Sequence, residues 1–315
     1  MSELHDLIER EGKHAAILAD LAQRPVIEAA AAYMADEGVG IGFLYSGLCQ
    51  AALPHKRLES TASWQITSDH VALIVDPGTR PGPNNVPEAV GVPYGSRARL
   101  IMLYLQSEAL RTGSREVALG RSMSEWLKRM GVPKGGKQMM LVRDQAERIS
   151  RCRLSFNMRT GKGNQFVQQT IVDGAMFMDH LDDNSKQGSL LLEFARLSEG
   201  FYNELQRHPV PLEEAAIRQI NNNSMALDLY AWLAYRLHVL KGPTPVSWAA
   251  LKNQFGSGFH KLQHFQMSFL DNLNLALAVY RDAKFDVTPR GVTLMPSAPP
   301  VRPRIVAGAR LLAVQ

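Results

Sequence analysis

The stretch from Gly131 to Gly163, GVPKGGKQMMLVRDQAERISRCRLSFNMRTGKG, constrains the fold more than any other part of the chain. It has three parts. A glycine turn carrying Lys134 and Lys137 opens it. A run with Met139, Val142, Ala146 and Ile149 at helical spacing follows, and Lys137, Arg148 and Arg151 are expected largely off that apolar face. Alternation from Leu154 to Met158 and from Phe166 to Val172 then predicts two strands around the turn Arg159-Thr160-Gly161-Lys162-Gly163. A helix entered through a basic turn and followed by a basic hairpin is the arrangement by which a winged helix meets DNA.

The flanking sequence completes the module. Leu100, Leu103, Tyr104 and Leu110 predict a first helix over Arg97–Leu110, and Glu116–Leu119 a short strand. Ser122-Met123-Ser124-Glu125 is a capping box that starts a second helix, which runs to Met130 and stops at Gly131. The same order recurs downstream. Ser224 is expected to cap a helix with Met225, Leu229, Trp232, Leu233 and Leu237 on its apolar side, and Ser247 a short helix to Gln254. After Gly256-Ser257-Gly258 comes a long helix with Leu262, Phe265, Phe269, Leu273, Ala276 and Tyr280 on one face, then a hairpin around Pro289-Arg290-Gly291. The two copies share element order and length, with no obvious sequence identity.

The expected fold is therefore mainly α with small β-hairpins (α+β), built as two tandem winged-helix domains. A length of 315 residues suits about two domains. The boundaries expected are 1–93 for a helical and hairpin extension ending in a Pro/Gly-rich loop, 94–178 for the first winged helix, 179–223 for a connector, 224–297 for the second winged helix, and 298–315 for a Pro/Arg tail. No apolar run approaches the ~20 residues of a bilayer span, and the acidic, polar start is not a secretory signal. With only two, widely separated cysteines, a reduced cytoplasmic chain with no membrane contact is expected.

Charge is distributed unevenly. Residues 1–53 carry three basic and eight acidic groups, whereas residues 94–165 carry fifteen basic and five acidic. A net +10 block between acidic neighbours suits a phosphate-facing surface. In the first domain Lys137, Gln138, Arg143 and Arg148 are candidates for groove or backbone contact, and Lys134, Arg159 and Lys162 for phosphate contact. Arg151 is a further candidate, although a cation late in a helix also complements the C-terminal dipole. In the second domain the matching set is His260, Lys261, His264, Ser268 and the wing residue Arg290.

Two motifs suggest other chemistry. Gly131 to Lys137 satisfies Gly-x4-Gly-Lys, most of a nucleotide-binding loop. Yet Gln138 replaces the hydroxyl residue that would hold Mg²⁺, and the preceding element reads as a helix where that loop needs a strand. His260 and His264, four apart on the expected helix, resemble a metal pair without the glutamate of a zinc hydrolase helix. No catalytic residue, metal or cofactor is expected, and the chain is expected not to be an enzyme.

Several segments resemble the plasmid-encoded RepA replication initiators: Gly91-Val-Pro-Tyr-Gly-Ser-Arg-Ala-Arg-Leu, Glu108-Ala-Leu-Arg-Thr-Gly-Ser-Arg-Glu-Val, Gln145-Ala-Glu-Arg-Ile-Ser-Arg-Cys-Arg-Leu, Arg207-His-Pro-Val-Pro-Leu, Ala231-Trp-Leu-Ala-Tyr-Arg-Leu and Pro245-Val-Ser-Trp-Ala-Ala-Leu. Tyr45-Ser-Gly and Ala52-Leu-Pro-His-Lys-Arg-Leu extend the match upstream. The resemblance implies a bacterial plasmid protein that binds repeated double-stranded origin DNA, helps open the duplex, and works with the host initiator and replicative helicase. It also implies a homodimer as one form of the protein. Around His264 this chain has Gln263 and Gln266 where a more basic helix is expected of relatives. The same modules also suit a transcriptional (auto)repressor without initiator activity.

Overall fold

The computed structural model describes residues 2–68, 71–120, 122–160, 163–177 and 192–302. The chain begins with α1 (Ser2–Leu18), α2 (Arg24–Met34), β1 (Ile41–Tyr45) and α3 (Ser46–Gln50). Strands β2 (Trp64–Thr67), β3 (Val71–Asp76), β4 (Gly78–Pro81) and β5 (Pro87–Gly91) follow. Next come α4 (Gly95–Thr112), β6 (Glu116–Ala118), α5 (Met123–Arg129), α6 (Gly136–Arg151), β7 (Arg153–Thr160), β8 (Gly163–Thr170), β9 (Val172–Phe177) and β10 (Leu192–Leu197). The remainder is α7 (Glu199–Arg207), β11 (Pro209–Glu213), α8 (Glu214–Ile220), α9 (Ser224–Arg236), β12 (Thr244–Ser247), α10 (Trp248–Phe255), α11 (Leu262–Ala278), β13 (Phe285–Thr288) and β14 (Gly291–Leu294). The fold is α+β: helices with small antiparallel sheets.

These elements form two compact units, Ala51–Gln206 and a second made from both ends of the chain, Met1–Gln50 with Arg207–Gln315. Residues 1–93, expected as one extension, are therefore divided between the two units. The reason is pairing. In the central unit β3 pairs with β7, Leu73 opposite Phe156 and Val75 opposite Leu154, all four buried. The β7–β8 hairpin, expected as the wing, thereby continues a four-stranded sheet of order β2-β3-β7-β8. The Pro/Gly-rich loop folds as the hairpin β4–β5. Strand β6 pairs with β10, next to β9, and not with the hairpin. The expected connector, residues 179–223, continues from residues outside the described part into β10, α7, β11 and α8.

The unit made from the chain ends contains the order α9, β12, α10, α11, β13, β14, and here the sheet is complete. Strand β14 lies between β12 and β13, antiparallel to both. Its core is aromatic. Trp248 packs edge-on against Phe269 at 5.7 Å between ring centroids, and Trp232 against Phe255 at 5.4 Å. Asn223, and not the expected Ser224, caps α9: its side chain accepts from Met225 N and Ala226 N. The first two helices extend this core. Leu4 and Ile8 of α1, and Val26, Ile27 and Ala30 of α2, cluster with Ala278 at the end of α11, where the buried His5 ring also meets the Ala278 carbonyl at 2.8 Å. Pro25 sits in the first turn of α2 and starts that helix, since its missing N–H has no role there.

Among the described residues no helix is long and apolar enough to cross a membrane. Cys49 and Cys152 are buried and unpaired, and burial pushes the Cys152 thiol up to about 12, far from a reactive thiolate.

Candidate nucleic-acid interface

In the central unit, α5 and α6 make a helix-turn-helix whose geometry is set by its caps. Ser122 Oγ accepts from Glu125 N at 3.2 Å and starts α5. At the other end Gly131 adopts φ +66°, so that Gly131 N reaches Lys128 O and Val132 N reaches Leu127 O. Glycine is the residue that takes this left-handed position without strain. Buried Val132 anchors the turn. Lys134 is therefore exposed on the turn, and Lys137 in the first turn of α6. Gly135 caps α6 without a side-chain acceptor, and no acid lies in its first turn. Cations and free backbone N–H groups thus converge where a phosphate is well held.

Along α6 the two halves differ. In the first half Lys137 and Arg143 are exposed, and neither they nor Lys134 has an ion-pair partner among the described residues. Gln138 is half-buried and accepts from Arg97 Nε at 2.9 Å, which ties it to α4. The second half is neutralised. Arg151 donates to Thr79 O at 2.9 Å and pairs with Glu147, which also holds Arg80.

Arg148 corrects the expectation placed on it. Its side chain is 3% exposed, its Nε lies 3.0 Å from both carboxylate oxygens of Asp144, and its Nη1 donates to Val92 O. The guanidinium also lies 5.2 Å from the Tyr94 ring centroid. It fastens the Gly91–Tyr94 segment to α6 and offers no donor surface to a phosphate. Spacing alone put Arg148 off the apolar face; a neighbouring loop closes over it. Arg97 and Arg99 are likewise buried, and Arg99 donates to the carbonyls of Leu53, Pro54 and Gly95. Three arginines of the +10 block are therefore internal braces.

Arg159 lies on β7 opposite Asn164, with its side chain outside the described residues, and Lys162 is itself outside them.

In the other unit α11 begins at Leu262 with Lys261 as its cap, so His260 stands before the helix in the preceding bend. The expected pair of histidines four apart on one helix is thus not formed. His260, Lys261 and His264 are exposed at the entry to α11, and Arg290 is exposed on the turn between β13 and β14. Ser268 is half-buried, and its hydroxyl and carbonyl oxygens accept from Asn272 Nδ2. The surface here is polar with few charges, in keeping with the thinner charge of the sequence.

The Gly-x4-Gly-Lys segment joins two helices, so the element before it is α5 and not a strand. Two surface residues were missed by sequence reasoning: Met140 on α6 and Met267 on α11, 69% and 62% exposed. The signal was available, since both lie opposite the apolar periodicity of their helices, but a methionine reads as core when composition alone is considered.

Residues 92–249, half of the chain, match the family described as "Plasmid encoded RepA protein". The fold is similar to domains 2 and 3 of RctB in a crystal structure of their selenomethionine derivatives, with a TM-score of 0.50 and 10% identity over 81% of this chain and 96% of that one. A second crystal structure of RctB domains 2–3 aligns with a TM-score of 0.47 and 12% identity over 78% of this chain and 94% of that one. No curated protein matches the sequence. The matched span runs from the Arg148-braced loop through the helix-turn-helix of the central unit to the first residues of α10, and on that match the chain belongs to the plasmid-encoded RepA protein family.

Proposed function

We propose that this protein is a plasmid replication initiator. It binds repeated double-stranded origin DNA through its two winged-helix units, promotes opening of the duplex, and recruits the host initiator and the replicative helicase. The chain acts in the cytoplasm as a binding protein and catalyses no reaction itself. A homodimer is part of this proposal as one of its forms. The observation that carries the reading is the exposed set Lys134, Lys137 and Arg143 on the turn and first half of α6, with no ion-pair partner among the described residues. In a winged helix that half enters the major groove.

Footprinting on DNA flanking the gene is the direct test. Protection of short repeats is expected; uniform cleavage at saturating protein would overturn the reading. Transformation with an origin plasmid, with and without the gene, separates initiation from repression alone. Arg159→Ala with Lys162→Ala should weaken binding about equally across sequences, because wing contacts position more than they specify.

A further inference from the structure

We propose that Met140 and Met267 read thymine, each meeting the C5-methyl group of a base in the major groove. The assignment rests on the DNA-binding reading above and adds the base that each unit recognises.

Position carries the argument. On α6 the buried residues Val142, Ala146 and Ile149 mark the inner side. At 100° per residue Met140 falls on the opposite side, one turn from Lys137 on one flank and one turn from Arg143 on the other. On α11 buried Phe265, Phe269 and Leu273 mark the inner side, and Met267 stands opposite them, one turn from Gln263 and His264. Both methionines lie in the first half of their helices, the part that a winged helix inserts. Two units without obvious sequence identity thus place the same side chain at the same point.

A single exposed apolar residue is ordinary on a protein surface. These two differ in being centred on the helix faces that would face base edges. Thymine alone presents a methyl group there. Methionine, unbranched and polarisable, follows such a contact without a fixed rotamer. A protein partner would require a contiguous apolar patch. Around Met140 the helix instead offers Lys137, Arg143, Asp144 and Glu147. One methyl group matches the apolar area available, and at Met140 the flanking cations Lys137 and Arg143 match the phosphates on either side.

The test uses the full chain and a synthetic duplex carrying one footprinted repeat. Each thymine is replaced in turn by deoxyuridine, which removes only the methyl group. Wild type should lose about fourfold in affinity at the contacted position, the equivalent of ~0.8 kcal/mol for one buried methyl. Met140→Ala should bind the thymine and uracil duplexes equally at its position, and Met267→Ala at a different one. Met140→Leu should keep the discrimination. The exposed sites make normal folding of these variants the expectation, checked by urea unfolding. Wild-type thymine-to-uracil ratios in both alanine variants would overturn the assignment while leaving DNA binding intact. If both variants bind every duplex normally but fail to support replication, the methionines meet a protein and the assignment is wrong. If wild type protects no DNA at all, the DNA-binding reading falls, and this assignment with it.

Discussion

Arg143 and Arg148 lie five residues apart on one helix in opposite environments, the first exposed and the second buried. Arg148 is enclosed by Asp144, the Val92 carbonyl and the Tyr94 ring. Arg148→Ala should cost about 1–3 kcal/mol in urea unfolding, because the buried Val92 carbonyl loses its donor. Arg143→Ala should change stability by less than about 0.5 kcal/mol, the usual range for a surface site, and weaken DNA binding instead. A second residue-scale prediction concerns Glu213, which accepts from Tyr33 Oη at 2.5 Å. Burial raises its carboxyl pKa above the ordinary value; the Tyr33 hydrogen bond opposes this, and Asp282 adds to it. The folded state therefore favours the protonated acid. Stability is full below the unfolded value of about 4.3 and declines as pH rises through the folded value. Glu213→Gln, which keeps an acceptor for Tyr33, should remove that decline. It should be more stable than wild type at pH 7 and equal to it below pH 4, as read from unfolding curves at the two pH values.

At the scale of elements, the wing of the chain-end unit depends on a close backbone approach. Gly291 pairs with Ser247 across β12 and β14, and a Cβ there would lie 1.9 Å from the Val246 carbonyl oxygen. Backbone has no rotamer by which to yield. Gly291→Ala should therefore cost about 3 kcal/mol, at the upper end of overpacking penalties, and displace the turn that presents Arg290. Urea unfolding and amide exchange in β12 and β14 would detect both effects; unchanged protection would show that the strands part easily. The helix-turn-helix of the central unit was legible because its signals are local: a serine cap, a glycine stop and a 3.6-residue period act within a few residues. The pairing of β6 with β10 was not legible, since the partners lie more than seventy positions apart and short strands carry little pattern.

At the scale of the whole molecule, charge count and charge available to DNA differ. The exposed candidates Lys134, Lys137, Arg143, Lys261 and Arg290 should give a log-log salt slope of about −4 to −5 if each neutralises one phosphate. A slope near −1 in an origin-fragment titration would show that most of them stay off the backbone. The chain ends supply another prediction. Because α1 covers Val26, Ile27 and Ala30 and binds the last turn of α11 through His5, deleting residues 1–18 should lower amide protection in α2 and α11 while leaving β3 and β7 unchanged. Protection lost equally in both units would show that they unfold together.

Sequence alone determined the two helix-turn-helix entries and the exposed cations Lys134 and Lys137 at the start of α6, because caps, glycine stops and apolar period are short-range physics. The motifs quoted for the family resemblance were equally legible as motifs. Only the tertiary structure decided what they do: Arg99 and Arg148 brace the segment around Val92–Gly95, Arg97 ties α4 to Gln138, and all three are buried. It also decided that residues 64–76 join the central sheet and that residues 1–50 complete the other unit. An arginine on a helix surface has no inside or outside until a distant loop closes over it. That closure is a long-range contact, which neither period nor composition encodes.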